Sequence, residues 1–178
     1  MPYQNDNIFA KIIRGEAPSY KVYEDENTFV MMDIMPESKG HLLVLPKESA
    51  ENIFDISDEA ISACVRTCKK IAPALMKATN ADGLIMSQFN HAAAGQTVFH
   101  LHFHLVPVYE GQKRNEHART QGDPEELTAL AKEIDSFIVS RLHKNPKVRA
   151  IMNLIYSNKC SEVRTFAYML SKKYGRQN

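Results

Sequence analysis

His100, His102 and His104 stand at alternate positions in Val98-Phe99-His100-Leu101-His102-Phe103-His104-Leu105-Val106, and they are three of the chain's seven histidines. Along a strand, residues i, i+2 and i+4 share one face about 6–7 Å apart, so the spacing predicts a row of imidazoles. On the same reading Phe99, Leu101, Phe103 and Leu105 enter the core. Such a row supports three chemistries. His-x-His on a strand can give a metal two ligands. An imidazole can serve a hydrolase as general base. A neutral imidazole can also attack phosphorus and carry it as phospho-histidine, while its neighbours set its tautomer and bind phosphoryl oxygens.

Two further groups are candidates to join the row. Ala92-Ala93-Ala94-Gly95-Gln96-Thr97 runs directly into it. Small residues let backbone N–H groups approach a phosphate, and Thr97 adds a hydroxyl. His41 opens the apolar run His41-Leu42-Leu43-Val44-Leu45, which Pro46 ends and which reads as a buried central strand.

The elements that must position these residues follow from the remaining pattern. Asn7–Arg14 is a short amphipathic helical piece that ends near Gly15. Lys21–Glu24 and Thr28–Met32 form a hairpin around Asp25-Glu26-Asn27. Ser57-Asp58-Glu59 caps a helix whose apolar positions are Ile61, Val65, Cys68, Ile71, Leu75 and Met76, with a bend expected at Pro73. Asp82-Gly83 turns into a strand over Leu84–Gln88. Asp123-Pro124-Glu125-Glu126 starts a second long helix, ended by Asn145-Pro146. Shorter helices are expected over Val148–Tyr156 and Ser161–Tyr174. Helices and strands are segregated, and the strand links read as hairpins. The expected class is therefore α+β with an antiparallel sheet.

The chain has 178 residues, 44% of them hydrophobic, enough for one domain with a full core. No run approaches the ~18 apolar residues of a membrane span. The opening Met-Pro-Tyr-Gln-Asn-Asp-Asn lacks the basic-then-apolar pattern of a secretory signal. Cys64 and Cys68 stack one helical turn apart as reduced thiols, and a cytoplasmic location is expected. The net charge of +1 hides a split: residues 1–140 carry 13 Lys/Arg against 20 Asp/Glu, and residues 141–178 carry nine against Glu162 alone. The division predicted is a body over 1–143 and a basic helical extension over 144–178. Such an extension is suited to an acidic partner, RNA or an anionic surface.

His100-Leu101-His102-Phe103-His104-Leu105-Val106 is similar to the signature of the histidine-triad family. The likeness continues through Asn7-Ile8-Phe9-Ala10-Lys11-Ile12-Ile13, Tyr23-Glu24-Asp25, Asp33-Ile34, Gly40-His41-Leu42-Leu43-Val44-Leu45-Pro46-Lys47 and Gly95-Gln96-Thr97-Val98-Phe99. It resembles in particular the bacterial branch of nucleoside phosphoramidate hydrolases. The resemblance implies an antiparallel sheet of about five strands with a long helix, joined across a homodimer, and a nucleotidyl transfer that needs no metal or other cofactor. Carried over by position, His102 attacks the α-phosphorus. His100 and His41 order and polarise it, and His104 binds a phosphoryl oxygen or assists the leaving group. Gly95, Gln96 and Thr97 would hold the phosphate, while Asp33, Ile34, Phe9, Ile12 and Met31 would line the ribose and the purine.

This chain departs from relatives at three places. Zinc-carrying members have cysteines where it has Asn7 and Ala10 and a histidine where it has Ser49, so no structural zinc is expected. Phe89 stands where relatives usually have an asparagine, and neighbouring Asn90 is the candidate to take over that ribose contact. His91 replaces a common glycine. The activity implied is hydrolysis of a purine nucleoside phosphoramidate or related nucleotidyl conjugate. The alternatives are a dinucleoside polyphosphate hydrolase, or a nucleotide-responsive binding protein that recruits a partner through its basic extension.

Overall fold

The computed structural model describes residues 3–115, 119–144 and 146. The helices expected over 148–156 and 161–174, and with them nearly all of the basic extension, lie outside those residues. Two compact units divide the chain, Met1–Asp135 and Ser136–Asn178. The first holds the whole sheet and all four histidines singled out above.

The elements run α1 (Ile8–Ile13), β1 (Lys21–Glu24), β2 (Thr28–Met32), β3 (Leu42–Pro46), α2 (Asp58–Thr79), β4 (Gly83–Gln88), β5 (Phe103–Val108) and α3 (Pro124–Lys144). The strands form one five-stranded sheet in the order β1-β2-β3-β5-β4. Every neighbouring pair is antiparallel. The class is α+β, as the segregation of elements implied. The links are not all hairpins, however. After β3 the chain crosses through α2 to the outer edge, lays down β4, and returns to insert β5 between β3 and β4. Edge strand β4 leaves Ile85 and Met86 exposed.

Helix ends follow local chemistry. Asn7 Oδ1 accepts the Ala10 N–H at 2.9 Å, and Ser57 Oγ accepts the Ala60 N–H at 3.2 Å, each satisfying a backbone donor at its helix start. Asp123 Oδ1 takes both the Glu125 and Glu126 N–H groups at 2.9 Å to open α3. Pro73 lies inside α2 without ending it, and Asn80 closes the helix with φ 51°.

Both central strands β2 and β3 are buried along their whole length. Alternation explains how. Phe29, Met31, Leu43 and Leu45 point to one face, where they cluster with Phe9 and Ile12 of α1. Thr28 points to the other face, where its hydroxyl meets that of Thr67 of α2 at 3.0 Å in a buried hydrogen bond. Continuous apolar runs are what a sheet covered on both faces requires. The buried face of α2 is Ala60, Ala63, Cys64, Thr67, Cys68, Ile71, Ala74, Leu75 and Thr79. Val65 falls off that stripe and is 44% exposed, contrary to the apolar reading of its position.

The histidine row also needs correction. β5 begins at Phe103, so His104 alone of the three lies in the strand, while His100 and His102 precede it. Ladder pairing with β3 begins at Val44↔Phe103. Leu101, Phe103 and Leu105 are buried as expected, but Phe99 is exposed. Phe99 lies four residues ahead of the ladder, and strand alternation does not govern it there.

Candidate active site

His41, His100, His102 and His104 are all buried, His102 most openly at 5% exposure. Gly40 sets up the first of them. Its φ is +87°, and a Cβ there would lie 2.5 Å from Thr79 Cγ2 and 3.2 Å from both Leu75 Cδ1 and Pro107 Cγ. Glycine alone fits this turn, which drops His41 at the head of β3. His104 stands across the ladder from Leu43, and so on the sheet face that carries α1. The rings of His102 and His104 are 4.8 Å apart between centroids.

Donors and acceptors assign the tautomers. His102 Nδ1 lies 2.7 Å from the carbonyl oxygen of His100. A carbonyl only accepts, so Nδ1 bears the proton and the lone pair is on Nε2. His100 Nε2 lies 2.9 Å from the Pro46 carbonyl and must likewise donate, which leaves Nδ1 as its acceptor. Burial pushes the His100 pKa below its ordinary value, with the Pro46 hydrogen bond opposing. His41 Nδ1 accepts the Glu37 N–H at 3.1 Å, and its Nε2 faces His104 Nδ1 at 2.9 Å. In the neutral pair the His41 Nε2–H donates, and the His104 proton is then on Nε2. The site therefore places a nucleophilic nitrogen on His102 beside an N–H donor on His104.

Asp33 supports the same corner. Its Oδ2 is 3.5 Å from His41 Nδ1, and its Oδ1 accepts the Met35 N–H at 2.8 Å. Asp33, His41 and His104 are the one trio of potential metal ligands among the described residues, with ligand atoms within 4.8 Å of one another. Two imidazole nitrogens each ~2.0–2.1 Å from a tetrahedral ion would stand about 3.3 Å apart. The 2.9 Å between His41 and His104 fits a shared proton better.

The other residues expected at the site fall into distinct places. Phe9, Ile12 and Met31 are brought into one apolar cluster. Phe9 sets its ring edge against His102 at 5.0 Å. Ile34 is 51% exposed, and Gly95 and Thr97 are also exposed. Gly95 has φ +98° at the end of a short turn, Ala92–Ala94. Gln96 is buried and fully engaged: its Oε1 accepts the His91 N–H at 2.8 Å, and its Nε2 donates to the carbonyls of Glu51 and Val98 at 2.7 and 3.1 Å. Gln96 thus pins the loop that presents Gly95 and Thr97. Asn90 bridges the Ile53 N–H at 2.9 Å and Gln88 Oε1 at 2.8 Å. Neighbouring Phe89 packs edge-on against His104 with ring centroids 5.2 Å apart, a contact that no local pattern predicts. His91 has φ 67° and ψ 158°, a region suited to glycine, and stacks on exposed Phe54.

Known proteins resemble this chain in sequence and fold. The model of the HIT domain matches residues 14–111. The Bacillus subtilis protein called Protein hit is 40% identical over 137 residues, covering 75% of this chain and 94% of its own length. An adenylylsulfatase of Arabidopsis thaliana is 39% identical over 107 residues, 60% of this chain and 54% of that protein. A crystal structure of a Hit-like protein from Bartonella henselae, described as involved in cell-cycle regulation, superimposes with a TM-score of 0.71 at 44% identity. That match covers 76% of this chain and 98% of the other.

Proposed function

The chain belongs to the HIT domain family, whose members are generally nucleotide-binding hydrolases, and on that premise we propose that it hydrolyses purine nucleoside phosphoramidates or related nucleotidyl conjugates at the α-phosphorus. One observation carries the proposal: the His102 Nδ1–H bound to the His100 carbonyl at 2.7 Å, which directs the Nε2 lone pair to the reaction.

In the first step a bond forms from His102 Nε2 to phosphorus. The bond from phosphorus to the leaving nitrogen breaks, and its electron pair departs with the amine, which accepts a hydrogen bond from His104 Nε2–H and takes its proton from solvent. As the ring is nucleotidylated it becomes cationic. The carbonyl already placed at Nδ1–H stabilises that charge without rearrangement. In the second step water attacks phosphorus, the P–Nε2 bond breaks, the ring returns to its neutral Nδ1–H form, and the water's proton passes to solvent. The products are a nucleoside monophosphate and the amine. The Gly95 and Gln96 N–H groups are donated to the carbonyls of Ala92 and His91, so exposed Thr97, just after that turn, supplies its hydroxyl for phosphoryl oxygens. Exposed Ile34 and the cluster of Phe9, Ile12 and Met31 offer apolar surface for a purine.

The similarity to an adenylylsulfatase adds sulfate as a second leaving group, which would depart without a proton. Adenosine phosphoramidate, adenylyl sulfate and a diadenosine polyphosphate should be compared as substrates, with intact mass recorded after acid-free quenching. A transient gain of one nucleoside monophosphate is expected on the wild type and not on His102→Ala. Turnover without any such adduct would remove the covalent step.

A further inference from the structure

We propose that Tyr3, oriented by Asn7, is a positioning residue for the reaction: it locks His100 in the tautomer and place from which the His100 carbonyl orients the nucleophile His102. Both residues lie ahead of the stretch 14–111 matched by the family model, and neither bears any of the catalytic or binding roles assigned above. The Tyr3 hydroxyl is in hydrogen-bond contact with His100 Nδ1. Asn7 Nδ2 donates to that same hydroxyl at 2.9 Å and to the Gln4 carbonyl at 2.7 Å.

The polarity of this chain of bonds is forced. His100 Nε2 faces a carbonyl and must carry the proton, so His100 Nδ1 accepts and Tyr3 donates. Asn7 Nδ2 can only donate, so it occupies the acceptor side of the Tyr3 oxygen and leaves the Tyr3 proton directed at His100. The series reads Asn7 to Tyr3 to His100 to Pro46. Its two ends are the cap of α1 and the last residue of β3.

The reason such a bracket matters lies in where β5 starts. His100 and His102 precede the ladder, so no strand pairing fixes the His100 carbonyl. Within this segment the Leu101 N–H reaches the Ala50 carbonyl at 2.8 Å. Beyond that bond, hydrogen bonds at both ring nitrogens hold His100, and therefore the oxygen on which His102 Nδ1–H depends. The Tyr3 and His100 rings, 5.7 Å apart and edge to face, add packing to the polar contact.

The proposal rests on His102 being the nucleophile, and its test has an arm that does not. Tyr3→Phe keeps the ring and deletes the hydroxyl. Asn7→Asp keeps a helix cap of equal quality but replaces the Nδ2 donor with a carboxylate oxygen, which draws the Tyr3 proton away from His100. For both variants kcat on adenosine phosphoramidate should fall about 10- to 100-fold with KM within about twofold, the size of effect expected when a reacting group is misplaced. Nitrogen-15 spectra of the imidazoles should show His100 leaving its single Nε2–H form in both variants, with Tm held within about 2 °C for Asn7→Asp. Unchanged His100 spectra in both variants would overturn the proposal whatever the activity. So would changed His100 spectra with kcat intact, because the bracket would then not reach the nucleophile. If the wild type turned over no nucleotide conjugate, the proposed function would fail, while the spectra would still decide whether the bracket exists.

Discussion

His104 sits inside β5, and His41 opens β3 behind a glycine turn, so backbone ladders and a close-packed loop fix that pair. His100 and His102 lie just ahead of the ladder. They are fixed by their own hydrogen bonds: two at the His100 ring, and one from His102 back to the His100 carbonyl. The difference separates two kinds of precision. In the proposed reaction the sheet places the hydrogen-bond donor, and a side-chain network places the nucleophile. Damage to the sheet should therefore appear as lost stability, and damage to the network as lost rate.

The largest effects are kinetic. His102→Ala should lower kcat about 10^4-fold or more while AMP binding stays within a few-fold, the signature of removing a group that acts in the transition state. His41→Ala removes the donor that sets the His104 tautomer, leaving the proposed nucleophile in place, and should cost about 10^2-fold. Steady-state rates beside calorimetric AMP titrations test both; equal losses for the two variants would erase the distinction between attacking and assisting imidazoles.

Gly40→Ala tests the sheet side. The added Cβ clashes with Thr79, Leu75 and Pro107 and must adopt φ +87°, so destabilisation of about 2–3 kcal/mol is expected. Urea unfolding measures it, and a midpoint unchanged from wild type would show that the turn relaxes freely. The smallest effect concerns acid. His100 has its pKa lowered by burial from 6.5, so the unfolded chain binds this proton more readily than the folded one. Its contribution to stability is full above pH 6.5 and declines as pH falls through that value toward the folded pKa. His100→Gln should flatten the loss of stability between pH 7.5 and 5.5, read from denaturation midpoints at the two pH values. A loss as steep as that of the wild type would assign it to other groups.

What could be read from the sequence was whatever depended on local pattern. The polar Asp25-Glu26-Asn27 marks the hairpin to the residue, and the caps at Ser57 and Asp123 mark the helices. The His-x-His-x-His spacing locates the site even though two of its members precede the strand. Alternation misplaces Phe99 because it applies only where a ladder exists. Val65 misleads because its spacing from Ile61 suits a helix stripe that the buried face of α2 does not follow. The Tyr3–His100 contact joins residues 97 positions apart and leaves no local trace, whereas Asn7 carried a readable sign as a preferred helix cap. Gln96 reads as a phosphate contact, and its three side-chain hydrogen bonds show that it also pins its loop.

Cys64 and Cys68 give the fold a clock. Burial drives both thiols up to a pKa of about 12, so in the folded chain they stay protonated and the thiolate that reacts is scarce. Alkylation at those two positions thus waits for α2 to come away from the sheet, and the rate at which label arrives there reports how often the core opens.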